Sequence, residues 1–199
     1  MSTDTAQEVS ELSTRPVAPI QTESFRKARP EIVGDNAGPS APFPVYLAGT
    51  VQRGFGRGGK DLGCPTANLS DDALDLIVTV AKPGIYYGYA QVVPPASEEQ
   101  SNWDQEARAV QPMVMSLGWN PFYKNEKLTA EIHVMHDYKS DFYGYELRAV
   151  VLGYIRPELD YTSREALIKD IDTDKAVGLK SLDRPAYNVY TNDPHFKLK

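Results

Sequence analysis

The sequence predicts an all-β protein, a six-stranded antiparallel Greek-key barrel with a C-terminal helix and a disordered N-terminal tail. Three observations point to a small barrel. Short β-type segments recur between Gly, Pro, Asn and Asp punctuation across the middle of the chain. No segment between them has the amphipathic period of a crossover helix, which favours an antiparallel barrel or sandwich over a doubly wound α/β sheet. The one well-patterned helix follows the last of these segments. The strand count of six comes from a family resemblance described below.

Taken in order, residues 1–41 are polar, and Pro16, Pro19, Pro30 and Pro39 interrupt any period. Such a stretch buries too little apolar surface to offset its ordering entropy, so a disordered or loosely docked tail is expected. Strand-like segments then cover 45–52, 84–93, 112–117, 129–136 and 145–155. Between two of them, residues 94–111 are rich in Glu, Gln, Ser and Pro with a single tryptophan, and read as an exposed insertion. After the last strand, Thr162 and Glu165 have capping-box spacing, and Leu167, Ile168 and Ile171 fall on one face. A helix over 163–176 is predicted, covering an open side of the barrel. Residues 179–199 hold Pro185, Tyr187, Tyr190 and Phe196 in polar surroundings, the pattern of an extended segment anchored by aromatics or of a frayed tail.

The chain's 199 residues, 41% of them hydrophobic, are enough for one core, here expected as a barrel domain over 42–178. A net charge of -6 argues against a protein that binds nucleic acid through its phosphates, which takes excess Lys and Arg. A lone cysteine, Cys64, forms no internal disulfide and no zinc-type pattern, which makes the reducing cytoplasm the expected compartment. No apolar run approaches the roughly 20 residues that span a bilayer. Residues 1–10 lack the parts of a secretory signal, and Asp4, Glu8 and Glu11 are poor chemistry for a mitochondrial presequence. A monomer without a membrane partner is expected.

The most unusual stretch is Gly54-Phe55-Gly56-Arg57-Gly58-Gly59-Lys60. It matches G-x-G-x-x-G literally, but that fingerprint has meaning only where a strand turns straight into a helix. Here Pro65 follows and no helix N-terminus is available to receive a pyrophosphate. The stretch also fits the first seven positions of a P-loop, yet Asp61 stands where the Mg²⁺-binding Ser or Thr belongs. What remains is either a plain flexible loop or a phosphate-binding loop whose backbone N–H groups approach closely beside Arg57 and Lys60. In Pro65-Thr66-Ala67-Asn68, an extended chain puts a hydroxyl and an amide oxygen on one side at i and i+2. Two neutral oxygen donors suit Mg²⁺ beside a nucleotide's phosphates, but spacing alone favours a Thr and an Asn satisfying a turn.

These residues resemble a known family. The run from Gly49 through the Gly54 to Lys60 segment to Asn68 is similar to the ATP-binding flap and Pro-Thr-Ala-Asn motif of riboflavin kinases. The resemblance continues through Pro83-Gly84-Ile85-Tyr86-Tyr87-Gly88, through Ser116-Leu117-Gly118-Trp119-Asn120-Pro121-Phe122-Tyr123-Lys124 and through Glu131-Ile132-His133-Val134-Met135-His136. It ends with Asp141-Phe142-Tyr143-Gly144 and Gly153-Tyr154-Ile155-Arg156-Pro157-Glu158, covering about residues 46–176. It implies a six-stranded Greek-key barrel that transfers the γ-phosphate of MgATP to the ribityl 5′-hydroxyl of riboflavin, giving FMN and ADP. By motif, Gly54, Lys60 and Thr66 would contact ATP, Thr66 and Asn68 would hold Mg²⁺, and Glu131 would be the catalytic base. His136, Tyr143, Arg156 and Glu158 would lie around the flavin. Mn²⁺ and Zn²⁺ are not separated from Mg²⁺ at this level. The tail and the 94–111 insertion fall outside the matched segments. Nothing similar to an adenylyl-transferring domain precedes the barrel, so the product is expected to be FMN and not FAD.

Other readings of the same residues carry less. Alternation along a strand puts Glu131 and His133 on one face and His136 on the other, an awkward geometry for a zinc site. His133 reads as a hydrogen-bonded barrel residue and Cys64 as a small packed filler. The tyrosines near 86–89 and 142–145 are barrel residues first, with one or two placed to stack on a flavin. A barrel that binds flavin without catalysis is the non-enzymatic alternative, against which Thr66, Asn68 and Glu131 together argue. A nucleic-acid-binding barrel would need a basic face threaded with aromatics.

Overall fold

The computed structural model describes residues 18–54, 65–95, 103–119 and 127–197. Six strands, β1 (Val45–Gln52), β2 (Ala67–Leu69), β3 (Gly84–Val93), β4 (Gln111–Trp119), β5 (Leu128–Val134) and β6 (Glu146–Arg156), close a barrel in the order β1-β2-β5-β4-β3-β6. Every pairing is antiparallel. β3, β4 and β5 follow one another as neighbours and β6 returns to lie beside β3, which is the Greek key. The short β2 was read from sequence only as an extended Pro-Thr-x-Asn stretch. It earns strand status by bridging β1 and β5 and so closing the sheet.

Period-two alternation sorts the side chains. In β5, Ala130, Ile132 and Val134 face the interior, and Glu131 and His133 lie half-buried on the outer wall. In β2, Ala67 and Leu69 point inward and Asn68 outward. Leu47, Tyr86, Met113, Met115, Leu117 and Leu147 fill the centre. Burial pushes the Tyr86 phenol up to about 12. Alternation along β3 turns Tyr87 and Tyr89 outward, where with Val150, Leu152, Leu182, Tyr187 and Phe196 they form a second cluster outside the barrel.

α3 (Arg164–Leu182) covers that second cluster, counting α1 (Glu23–Lys27) and the single-turn α2 (Ile77–Val80) before it. Its N-cap is Ser163, whose hydroxyl accepts from Ala166 N at 3.1 Å, one residue beyond the expected Thr162. The helix also runs six residues past 176, because Val177, Gly178, Ser181 and Leu182 continue its buried face. A methyl at Gly178 would press against Val114 and Tyr87, so the glycine permits close packing on β3 and β4. The expected apolar stripe is displaced: Leu167, Ile168 and Ile171 are only half-buried, and Asp170 and Asp174 occupy the buried face of the first half.

Those two aspartates explain the docking of the N-terminal segment. Asp170 pairs with Arg26 of α1 and accepts from the Tyr161 hydroxyl, and Asp174 pairs with Arg29. Backbone bonds between Gln21 N and Asp160 O and between Asp160 N and Pro19 O add a short parallel bridge. Residues 18–41, expected as a disordered or loosely docked tail, are therefore docked, by buried ion pairs at Arg26 and Arg29 and, further along, by Val33, which packs on the second cluster and whose carbonyl accepts from Tyr87 and Arg184. At the other end, residues 183–197 form α4 (Pro185–Asn188) and two single turns instead of an extended segment, with Tyr187 and Phe196 as the buried anchors. Among the described residues of the 94–111 insertion, Trp103 is not exposed. It packs 5.1 Å from the Tyr138 ring and 5.2 Å from Tyr145, across the end of the barrel.

Candidate active site on the outer barrel wall

Glu131 sits in the middle of β5, with Asn68 of β2 directly opposite on one side and Ser116 of β4 on the other. All three side chains share the outward face. Thr66, one residue before β2, donates its hydroxyl to Glu131 Oε2 at 3.0 Å. Gly54 lies against the same group, since a Cβ at that position would run into the Asn68 side-chain amide. Residues separated by up to 77 positions thus converge: a hydroxyl, an amide and a carboxylate, with a glycine backbone passing over the amide. The site follows from strand chemistry. β2 and β5 pair antiparallel, so their outward residues meet at each step, and the inward neighbours Ala67 and Ile132 anchor them in the core.

The remaining expected residues are distributed as follows. Glu158 reaches back over β4: a Cβ on Gly118 would overlap its carboxylate, which brings Glu158 to the same outer wall as Glu131. Tyr143, on the β5–β6 connection, stacks under the Arg53 guanidinium at 4.6 Å and so sits beside the root of the glycine-dense run. His136 meets the Tyr138 ring edge-on at 4.7 Å. Arg156 is not brought to this group. Its guanidinium is buried beneath α3, with Nη2 at 2.8 Å from Asp174 Oδ2 and Nη1 donating to Pro157 O at 2.9 Å. Burial works against its charge and the Asp174 carboxylate more than offsets this, so Arg156 stays firmly protonated. Lys60 and Cys64 lie outside the described residues.

Two participants were not singled out as site residues from sequence. Ser116 faces Glu131 by register alone, a relation that no motif spacing encodes. His133, read as a hydrogen-bonded barrel residue, has its Nδ1 2.8 Å from the Pro65 carbonyl oxygen. Burial holds its imidazole below the ordinary histidine range, the Pro65 carbonyl pulling the other way.

Oxygen donors alone make up the Thr66, Asn68 and Glu131 group, which fits a hard ion such as Mg²⁺ or Mn²⁺ better than Zn²⁺. Among the described residues there is no cluster of three or more His, Cys, Asp or Glu able to hold a metal by itself. No helix among the described residues is long and apolar enough to cross a membrane.

Fold and site together define a small Greek-key barrel whose polar centre lies on its outer wall. A sequence profile described as Flavokinase, riboflavin kinase, matches residues 41–182. A riboflavin kinase of Pyricularia oryzae is 48% identical over 163 residues, covering 80% of this chain and 82% of the relative. One from Emericella nidulans is 42% identical over 185 residues, covering 81% and 88%. The crystal structure of riboflavin kinase from Trypanosoma brucei superposes with a TM-score of 0.62 at 25% identity, over 79% of this chain and 91% of that one. The chain belongs to the riboflavin kinase family.

Proposed function

We propose that the chain phosphorylates riboflavin at its ribityl 5′-hydroxyl, taking the γ-phosphate from ATP and releasing FMN and ADP, with Glu131 as the base. The observation that carries this is the Thr66–Glu131 hydrogen bond, 3.0 Å long, beside an Asn68 that faces Glu131 across the strand pair. Phosphoryl transfer asks a protein chiefly for alignment and charge stabilisation. Glu131 accepts the proton as the 5′-oxygen forms its bond to phosphorus and the bond to the β–γ bridging oxygen breaks. Thr66 would hold a divalent ion through its oxygen lone pair while its O–H remains directed at Glu131, and Asn68 would supply the second oxygen. Mg²⁺ bound there would neutralise charge on the phosphates.

Gly54 and Lys60 contact the nucleotide in this reading, with Gly54 laying its backbone over Asn68. Glu158, Tyr143 and His136 border the flavin, Glu158 from the β4 side and Tyr143 from the β5–β6 connection. Arg156 serves a structural role instead, fixing the end of β6 to α3 two residues before Glu158. Among the described residues the sheet closes into a barrel through β2, which supports a monomer. The single cysteine supports a reducing, cytoplasmic setting.

Incubation with riboflavin, ATP and Mg²⁺, followed by separation of the flavins, tests the reading. FMN and ADP should appear in equal amounts and FAD should not. Riboflavin binding without ADP release would leave a flavin-binding barrel and refute the transfer.

A further inference from the structure

The β2–β5 register sets Ala67 opposite Ile132 and Asn68 opposite Glu131. Carried one and two steps further, it sets Thr66 opposite His133 and Pro65 opposite Val134. Pro65 has no N–H to give to a ladder. β2 accordingly starts at Ala67, and Thr66, the residue whose hydroxyl meets Glu131, lies one position outside the strand. The backbone ladder therefore does not fix the peptide that Thr66 hangs from.

His133 supplies what the ladder lacks. It lies two residues from Glu131 on the same outward face of β5, and its ring nitrogen Nδ1 is 2.8 Å from the Pro65 carbonyl oxygen. A carbonyl only accepts, so Nδ1 carries the proton in either charge state of the ring. We infer that His133 is a positioning residue: its Nδ1–H clamps the Pro65 peptide to β5 and thereby holds the Thr66 hydroxyl at Glu131 and beside Asn68. β5 then grips the segment twice, by His133 on the backbone before Thr66 and by Glu131 on the Thr66 side chain. The inference rests on the roles proposed above for Thr66 and Glu131, but the clamp itself is a property of the protein without substrates.

Three substitutions test it. His133→Ala removes the donor, and His133→Leu removes it while keeping bulk should the alanine variant not fold. His133→Asn keeps an N–H close to the position of Nδ1. Hydrogen exchange in the protein without metal or nucleotide is read for a peptide spanning residues 66–69. Loss of one hydrogen bond should speed exchange there about tenfold in the alanine and leucine variants, and the asparagine variant should return towards wild type. Exchange in β3 and β6 should not change. In steady-state assays the donor-less variants should need more Mg²⁺ for half-saturation and show a lower kcat, with the KM for riboflavin within about twofold and recovery in the asparagine variant. Unchanged exchange at 66–69 in His133→Ala, or equal impairment of the asparagine and alanine variants, overturns the clamp. Altered exchange in a protein whose wild type makes no FMN would retain the clamp and refute the kinase reading, so the two failures are distinguishable.

Discussion

Gly54 and Asn68 approach one another more closely than any side chain at position 54 would allow. That contact separates the glycine's role here from the phosphate motifs that its sequence neighbourhood imitates. G-x-G-x-x-G is matched in letters, and the P-loop only in its first seven positions, with Asp61 where its Ser or Thr belongs. Gly54→Ala should push the Asn68 amide out of place, with kcat/KM for MgATP falling about tenfold to a hundredfold, as displacements near 1 Å do in aligned sites. Its melting temperature should hardly move. Kinetics within twofold of wild type would show that the close approach is incidental. Thr66, Asn68 and Glu131 were legible in the sequence as a motif and a later carboxylate. Their meeting was not, because it depends on which strands become neighbours. For Arg156, a family segment indicates where the residue lies along the chain, and the buried partner Asp174 decides which way it turns.

At the scale of elements, α3 departs most from its sequence pattern. Periodicity picks out Leu167, Ile168 and Ile171, yet Asp170 and Asp174 are the buried residues, neutralised by Arg26, Arg29 and Arg156. Binary patterning treats an aspartate as solvent-facing, so a helix that buries carboxylates against arginines from two other segments is invisible to it. The same pairs turn a proline-broken polar stretch into a docked segment. Asp174→Ala would strip the buried Arg156 of its carboxylate and leave Arg29 only Asp170, 3.9 Å away, and should cost about 3–5 kcal/mol of stability. Denaturant unfolding measures this, and a loss below about 1 kcal/mol would show the network to be solvated. The strands were far more legible. β1 and β3 fall on the predicted residues, and β4, β5 and β6 differ at their ends by a residue or two, because alternation of apolar and polar residues is strict wherever one face of a strand fills a barrel.

For the whole molecule, closing six strands does two things at once. It seals a core of Leu, Met, Val and Tyr inside, and it brings the outward faces of β2, β4 and β5 side by side, so that a residue near 66 meets one near 131 on a rigid wall. α3 and the N-terminal segment cover another part of that wall. The fold class was readable from strand spacing, and the order of strands was not, since β2 is three residues long and its neighbours are fixed only when the sheet closes. The central claim is that Glu131 on this wall takes the proton from riboflavin. Glu131→Gln keeps the shape and an oxygen for Thr66 to meet while removing the base. Its kcat, measured at saturating riboflavin and MgATP, should fall about 10²- to 10⁴-fold, with riboflavin affinity within a few-fold of wild type. Turnover at the wild-type rate would contradict the account.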